Sequence, residues 1–217
     1  MNFKNYFKVL VVVVVTLLAG STWAENVSRS KFISGSPHFE ADKDMPGAMI
    51  YQKPGVDVSK YTKVLIDPIE FFVAEDSKYK GLDPDEAKSL ADNLRQALTQ
   101  ELEPDYPVVN EAGPGVLGIR LAITNVDMKK KKRGLLGYTP IGLVVTAAGN
   151  LAGMRMELTS ARIEAEVLDG VTDEQLGALV DPFSSEAKDK ISWENVGKRL
   201  GFYAKRLLAR LEKGEGE

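Results

Sequence analysis

The strongest constraint on the fold is an alternation of apolar with polar or small side chains in two segments. Every odd-numbered residue of the segment 117–124 is Leu or Ile, and every odd-numbered residue of the segment 161–168 is Ala, Ile or Val. Since successive side chains of a β-strand point to opposite faces, each segment predicts a strand with one buried face. Arg120, Glu164 and Glu166 occupy even-numbered positions. We therefore expect them on the other face, as a solvated charge ladder in which each pair contributes at most ~1 kcal/mol.

An amphipathic pattern predicts a helix that covers the buried face of this sheet. Asp83 can cap the helix, Pro84 suits the first helical position, and Glu86 follows the cap by three residues, as in a capping box. Apolar residues recur at three- and four-residue steps as far as Leu102, and Pro104 prevents continuation.

A second helix and several short strands complete the predicted architecture. Ser192 can cap this helix, and its apolar stripe runs from Trp193 to Leu211. Further strands are predicted at 48–51, 63–66, 69–73, 107–109 and 175–180. The order of these elements predicts an α+β fold, a two-layer sandwich with a mainly antiparallel sheet and two helices on one face.

The N-terminus is typical of a secretory signal peptide. Lys4 and Lys8 precede an apolar run, and small residues at Thr22 and Ala24 form a processing site. The run is about 11 residues long, whereas a helix needs about 20 to cross a bilayer. We expect a signal peptide at 1–24, an extended polar lead-in at 25–47, one α+β domain at 48–212 with an insert at about 128–154, and a flexible tail at 213–217.

Charge and cysteine content exclude several classes of function. The formal net charge is −3, so a general nucleic-acid binder is not expected. The chain contains no cysteine, which excludes disulfides, thiolate catalysis, thiolate metal sites and a lipid-bearing cysteine. From these observations we expect an exported, periplasmic protein that is cleaved after Ala24 and is not a lipoprotein.

Two motifs have simpler explanations than a cofactor or metal site. Gly113, Gly115 and Gly118 have the spacing of a dinucleotide-binding loop, but they precede a predicted strand, whereas that loop must open a helix. They predict a turn. His38 is the only histidine, so a zinc site or a catalytic triad would lack partners. We predict no cofactor, no metal ligand and no catalytic residue.

A set of carboxylates keeps one catalytic alternative open. Glu164 and Glu166 lie two residues apart on one face of a strand, about 7 Å from each other, a separation used by paired carboxylates in glycoside hydrolysis. Asp67 precedes Pro68 at the end of a predicted strand, where a turn-forming Asp-Pro is the simpler interpretation. The alternative function is a periplasmic hydrolase that uses these carboxylates.

Four segments together resemble a known family. They read YTKVLIDP at 61–68, YKGLDPDE at 79–86, YPVV at 106–109 and GPGVL at 113–117. In this order they resemble the bacterial envelope family known as domain of unknown function 3313, over a region from about Met49 to Val180. The resemblance implies an envelope protein without established catalytic residues. Members are often predicted lipoproteins, but this chain lacks the lipid-bearing cysteine.

A basic run beside an apolar run is the candidate interaction surface. The cations are Lys129, Lys130, Lys131, Lys132 and Arg133, and the apolar run from 141 to 152 contains Ile141, Leu143 and Val144. Cations near an anionic surface gain about 1 kcal/mol each. We therefore expect a non-catalytic binding or envelope-maintenance module, whose partner is an anionic membrane surface or an envelope protein. The simpler interpretation is a solvated loop followed by a helix packed on the domain.

Overall fold

The computed structural model describes residues 31–78, 84–130, 156–183 and 192–214. The chain divides into the units Met1–Lys31 and Phe32–Glu217, and every element below belongs to the second unit. The predicted signal peptide and the predicted cap residue Asp83 lie outside the described residues. The strands are β1 Glu40–Ala41, β2 Met49–Gln52, β3 Lys63–Ile66, β4 Glu70–Val73, β5 Val108–Val109, β6 Val116–Lys130, β7 Met156–Asp169 and β8 Gln175–Phe183, and the helices are α1 Pro84–Leu102 and α2 Trp193–Gly214.

The eight strands among the described residues join one sheet: seven follow the order β1-β2-β8-β7-β6-β3-β5, and β4 pairs with β6 off this path. One edge of β6 pairs antiparallel with β7, and its other edge pairs in parallel with β3 and then with β4. Each neighbouring pair in the series β1, β2, β8 and β7 is antiparallel. Two helices on a mainly antiparallel mixed sheet confirm the predicted α+β class.

The core lies between the helices and the apolar face of the sheet. The leucine stripe of α1, from Leu90 to Leu102, is buried, and so are the odd-numbered residues of β6 from Leu117 to Ile123. The helix α2 begins as predicted, because the Ser192 hydroxyl accepts a hydrogen bond from the Asn195 amide at 3.2 Å.

β6 and β7 are longer than the strands predicted from the alternation, because a bulge interrupts the alternation but does not end the pairing. Asn125 has a φ of 50°, in the left-handed region, where the register between the two strands shifts. The Asp127 carboxylate then accepts hydrogen bonds from the hydroxyls of Ser77, at 2.6 Å, and Thr159, at 2.8 Å. Pairing resumes after the bulge and continues to the ends of both strands. The alternation in the sequence stops at the bulge, so the predicted strands end there.

Gly115 lies in the predicted turn before β6, and Gly170, in the turn after β7, packs against the start of β6. Gly115 has a φ of 73°, and its carbonyl accepts hydrogen bonds from the amides of Thr62 and Lys63 at 2.9 and 3.2 Å. A Cβ at Gly170 would lie 2.5 Å from the Val116 carbonyl oxygen. Close backbone approach therefore requires glycine at this second position.

Candidate functional site

A small apolar cavity lies between α2 and the sheet. Its volume is about 130 Å³, and residues of β2, β6, β7, β8 and both helices line it. The apolar lining includes Ile50, Leu98, Leu121, Ala165, Leu179, Leu200 and Leu207. The lining residues with polar side chains are Tyr51 of β2 and Tyr203, Arg206 and Arg210 of α2.

The cavity exists because the strands beneath α2 carry small side chains. Ala165 on β7 and Gly177 on β8 both line it. Larger side chains at these positions would fill the space between the sheet and the helix. These small residues are visible in the sequence, but small residues on a strand are equally compatible with a filled core.

The cavity adjoins an open cleft of about 800 Å³. Both are lined by Val167, Gly177, Leu207 and Arg210. The connection between β2 and β3, at 53–59, forms the outer part of the cleft. Together the two spaces make a groove along α2, and we call this continuous space the α2 groove.

An ion pair fixes the first of the two arginines. Arg206 donates a hydrogen bond to the buried Asp42 carboxylate at 2.6 Å, and Asp44 lies 3.4 Å from the same guanidinium. Burial raises the pKa of Asp42, but the Arg206 guanidinium and the amides of Asp44 and Met45 lower it, and the net shift is downward. Arg206 is therefore held by this chain's own carboxylates.

A second buried carboxylate attaches α2 to β8. Asp181 accepts hydrogen bonds from Arg199 at 2.6 Å and from the Tyr203 hydroxyl at 2.8 Å. Burial raises the pKa of Asp181, although Tyr203 and Arg199 oppose this shift. Burial also raises the pKa of Tyr203, and the Asp181 charge adds to that effect. Because these contacts attach α2 to β8, Asp181 and Tyr203 have a structural role.

Arg210 differs from Arg206 in its partners. Its guanidinium hydrogen-bonds to the side-chain oxygen of Gln52, at 2.8 Å from Nη1 in the amide orientation that satisfies both groups. Burial lowers the pKa of Arg210, as does the neighbouring Arg206 charge, and the attraction of Asp42 and Asp44 offsets this only in part.

The glutamates of β7 lie on the opposite face of the sheet from the groove, and they are buried. The expectation of a solvated charge ladder is therefore wrong, since Glu164 is 1% exposed and Glu166 is 0% exposed. Glu166 accepts hydrogen bonds from Arg120 at 2.6 Å, from the Ser34 amide at 2.6 Å and from Gln175 at 2.7 Å. The segment around Ser34, more than a hundred residues away in sequence, covers this face.

These carboxylates do not line the groove. Ala165 and Val167 point into it, so Glu164 and Glu166 between and beside them point away. Glu164 accepts a hydrogen bond from the Thr124 hydroxyl at 2.7 Å, and Asp67 follows the end of β3. The carboxylates of the hydrolase alternative therefore do not face the α2 groove.

The structure reaches only the start of the predicted basic and apolar insert. Lys129 and Lys130 belong to β6 and lie opposite Glu157 and Met156 of β7. The other predicted binding residues, Lys131, Lys132, Arg133, Ile141, Leu143 and Val144, lie outside the described residues. The interaction surface at 129–152 stays a prediction. No helix among the described residues is both long enough and apolar enough to cross a membrane.

Comparison with known proteins gives one family match. The family model described as "Protein of unknown function (DUF3313)" matches residues 28–205. The "Uncharacterized lipoprotein YdcL" of Escherichia coli strain K12 is 30% identical over 141 residues, which cover 63% of this chain and 60% of the relative. A protein of the same name in a second E. coli strain gives the same values. The matched region thus spans about 60% of the length of these curated relatives.

Solved structures show weaker similarity. Two PelC dodecamer structures from Paraburkholderia phytofirmans match with TM-scores of 0.37 and 0.36 and sequence identities of 11% and 10%. Each match covers 72% of this chain, and the matches cover 93% and 94% of the PelC chains.

The curated relatives overturn the predicted localisation. We expected a cleaved, periplasmic protein that is not a lipoprotein, whereas both relatives are named lipoproteins. The sequence contains no cysteine, and the expectation rests on that lack. One missing residue type limits the covalent chemistry available to these residues, but it does not define the class of protein to which the domain is related.

Proposed function

From the premise that this chain belongs to the DUF3313 family of proteins of unknown function, we propose that it is a non-catalytic binding module of the cell envelope. The lipoprotein relatives support the envelope association. The binding site in this proposal is the α2 groove, and its ligand contributes an apolar chain.

The observation that carries this proposal is the apolar cavity under α2. An engineered apolar cavity of about 150 Å³ stays dry and binds benzene, so a space of similar size and lining can accept an apolar group. The cavity here has about 130 Å³ and opens into a cleft of about 800 Å³. A chain-like ligand can place its apolar end in the cavity and its other end where the cavity meets the cleft.

The predicted insert has a separate place in this proposal. Its basic run would attract an anionic surface, and its apolar run would enter the interface. In this arrangement the insert brings the domain to a membrane and the α2 groove takes up the ligand. The two parts can be tested independently, since Ala165 and Leu207 of the groove are distant in sequence from the run that starts at Lys129.

The test is binding of the neutral apolar dye N-phenyl-naphthylamine to the full chain, followed by fluorescence. We expect saturable binding by the wild type. Ala165→Leu adds three carbons to the cavity wall and should weaken dye binding at least about tenfold, which corresponds to about 1.4 kcal/mol. The same change at Ala209, which is exposed on α2 and does not line the groove, is the matched control and should leave binding unchanged.

Stability measurements separate a filled cavity from a damaged fold. Filling a cavity usually preserves or raises stability, so the urea midpoint of Ala165→Leu should equal or exceed that of the wild type. Weaker binding with an unchanged or higher midpoint supports the α2 groove as the site. Absence of saturable dye binding by the wild type, or equal binding by wild type and Ala165→Leu, would refute the proposal.

A further inference from the structure

We propose that the α2 groove selects a single-chain amphiphile with an anionic headgroup, and that Arg210 binds this headgroup. The inference rests on the proposed binding function and specifies the ligand class for the same site. It assigns a headgroup position at the junction of the cavity and the cleft, because Arg210 lines both spaces.

The cations that line the groove differ in whether they already hold a carboxylate. Arg206 is bound to Asp42 at 2.6 Å, and Lys53 in the cleft forms an ion pair with Glu174. Among the residues that the structure describes, no carboxylate lies within ion-pair distance of Arg210, and its hydrogen-bond partner is the neutral amide of Gln52. Arg210 is therefore the cation of the groove whose charge is available to a ligand.

The chemistry of the guanidinium fits an anionic headgroup. Its planar set of donors can bind a carboxylate or a phosphate through two parallel hydrogen bonds. Burial and the nearby Arg206 charge lower the pKa of Arg210, so an anion beside it would relieve an unfavourable charge. Asp57 also lines the cleft, and its carboxylate is engaged by the amide and hydroxyl of Ser59. This negative charge in the outer cleft favours a headgroup at Arg210 over one further out.

The size of the enclosed space favours one chain. A cavity of about 130 Å³ is well below the several hundred cubic ångströms of typical drug-sized pockets. Leu98 and Leu200 of the two helices and Leu179 of β8 bound it from opposite sides. One alkyl chain can enter between them, with its charged end at Arg210.

The experiment is displacement of N-phenyl-naphthylamine from the full chain by three ligands with the same alkyl chain: dodecanoate, dodecyl phosphate and dodecanol. We expect at least one anion to bind the wild type about tenfold or more tightly than the alcohol. Arg210→Gln should lower the affinity for that anion to the level of dodecanol and leave dodecanol unchanged. The two anions show whether the headgroup preferred is a carboxylate or a phosphate.

Lys205→Gln is the matched control, since Lys205 is an exposed cation of α2 that pairs with Glu101 and does not line the groove. It should change none of the three affinities. Equal affinity of the wild type for both anions and dodecanol, or equal loss in Arg210→Gln and Lys205→Gln, overturns the headgroup assignment while dye binding still supports the α2 groove. If the dye itself does not bind, the proposed function fails and this inference fails with it.

Discussion

Replacing Glu166 with glutamine should destabilise the domain strongly, because this carboxylate is an interior ion-pair partner. Its oxygens accept hydrogen bonds from Arg120, Gln175, the Ser34 amide and, at 3.2 Å, the Ser34 hydroxyl. An amide has one accepting oxygen and presents an NH₂ group where the second oxygen stood. At least one donor would therefore lose its acceptor.

The size of the effect follows from burial. Removing one partner of a buried ion pair costs about 3–5 kcal/mol, and one orphaned donor costs about 1–3 kcal/mol. The Arg120 side chain is 32% exposed, so water can solvate part of its charge after the change. We therefore expect Glu166→Gln to lower the free energy of unfolding by about 2–4 kcal/mol.

The assay is urea unfolding followed by circular dichroism, with Glu70→Gln as the matched control. Glu70 lies 4.0 Å from the same Arg120, but its side chain is 51% exposed. Its replacement should cost less than about 0.5 kcal/mol, as for other exposed ion pairs. A loss of less than about 0.5 kcal/mol for Glu166→Gln would refute the reasoning, because that value is typical of a solvated pair.

Three other predictions concern the core, pH dependence and the basic run. Leu94 is 1% exposed, so Leu94→Ala should lower the free energy of unfolding by about 2–5 kcal/mol, and a urea midpoint equal to that of the wild type would contradict its place in the core. Hydrogen bonds from Tyr61 and Lys60 hold the pKa of Asp169 well below 3.8, so the wild type should be more stable than Asp169→Asn near neutral pH, and this advantage should disappear as the pH falls below that value. If the wild type kept or increased its stability advantage over Asp169→Asn in acid, the pKa of Asp169 would not be lowered in the folded protein. Replacing Lys130, Lys131 and Lys132 with Gln should weaken co-sedimentation with anionic lipid vesicles at low salt without lowering the melting temperature, and equal binding by both proteins would remove the membrane role of the run.

Local patterns in the sequence were sufficient to predict both helices and every strand of this fold except the two-residue β1, which lies in the predicted lead-in. The leucines of α1 and the alternation in β6 and β7 depend on residues only a few positions apart, and such patterns determine which side of an element is apolar. They do not determine what covers the other side. Ser34 and Glu166 are separated by 132 positions, so no local pattern could show that they touch.

The α2 groove could not be predicted for a related reason. Ala165 and Gly177 indicate a close approach of helix and sheet, but whether space remains between them depends on where α2 is fixed. That position is determined by Arg199 and Tyr203 on Asp181 and by Arg206 on Asp42. These contacts join separate parts of the chain and have no signature in the sequence.

The pairing of β6 with β7 allows the connection between these strands to change without a change in the fold. The ladder continues to the pair Lys130 and Met156, so the ends of the connection are held together by the strands themselves. For a flexible connection, each doubling of length raises the closure free energy by only about 0.6 kcal/mol. Since β6 and β7 hold Lys130 and Met156 together, a change in the number of residues between them can alter binding there while α2 and its groove keep their geometry.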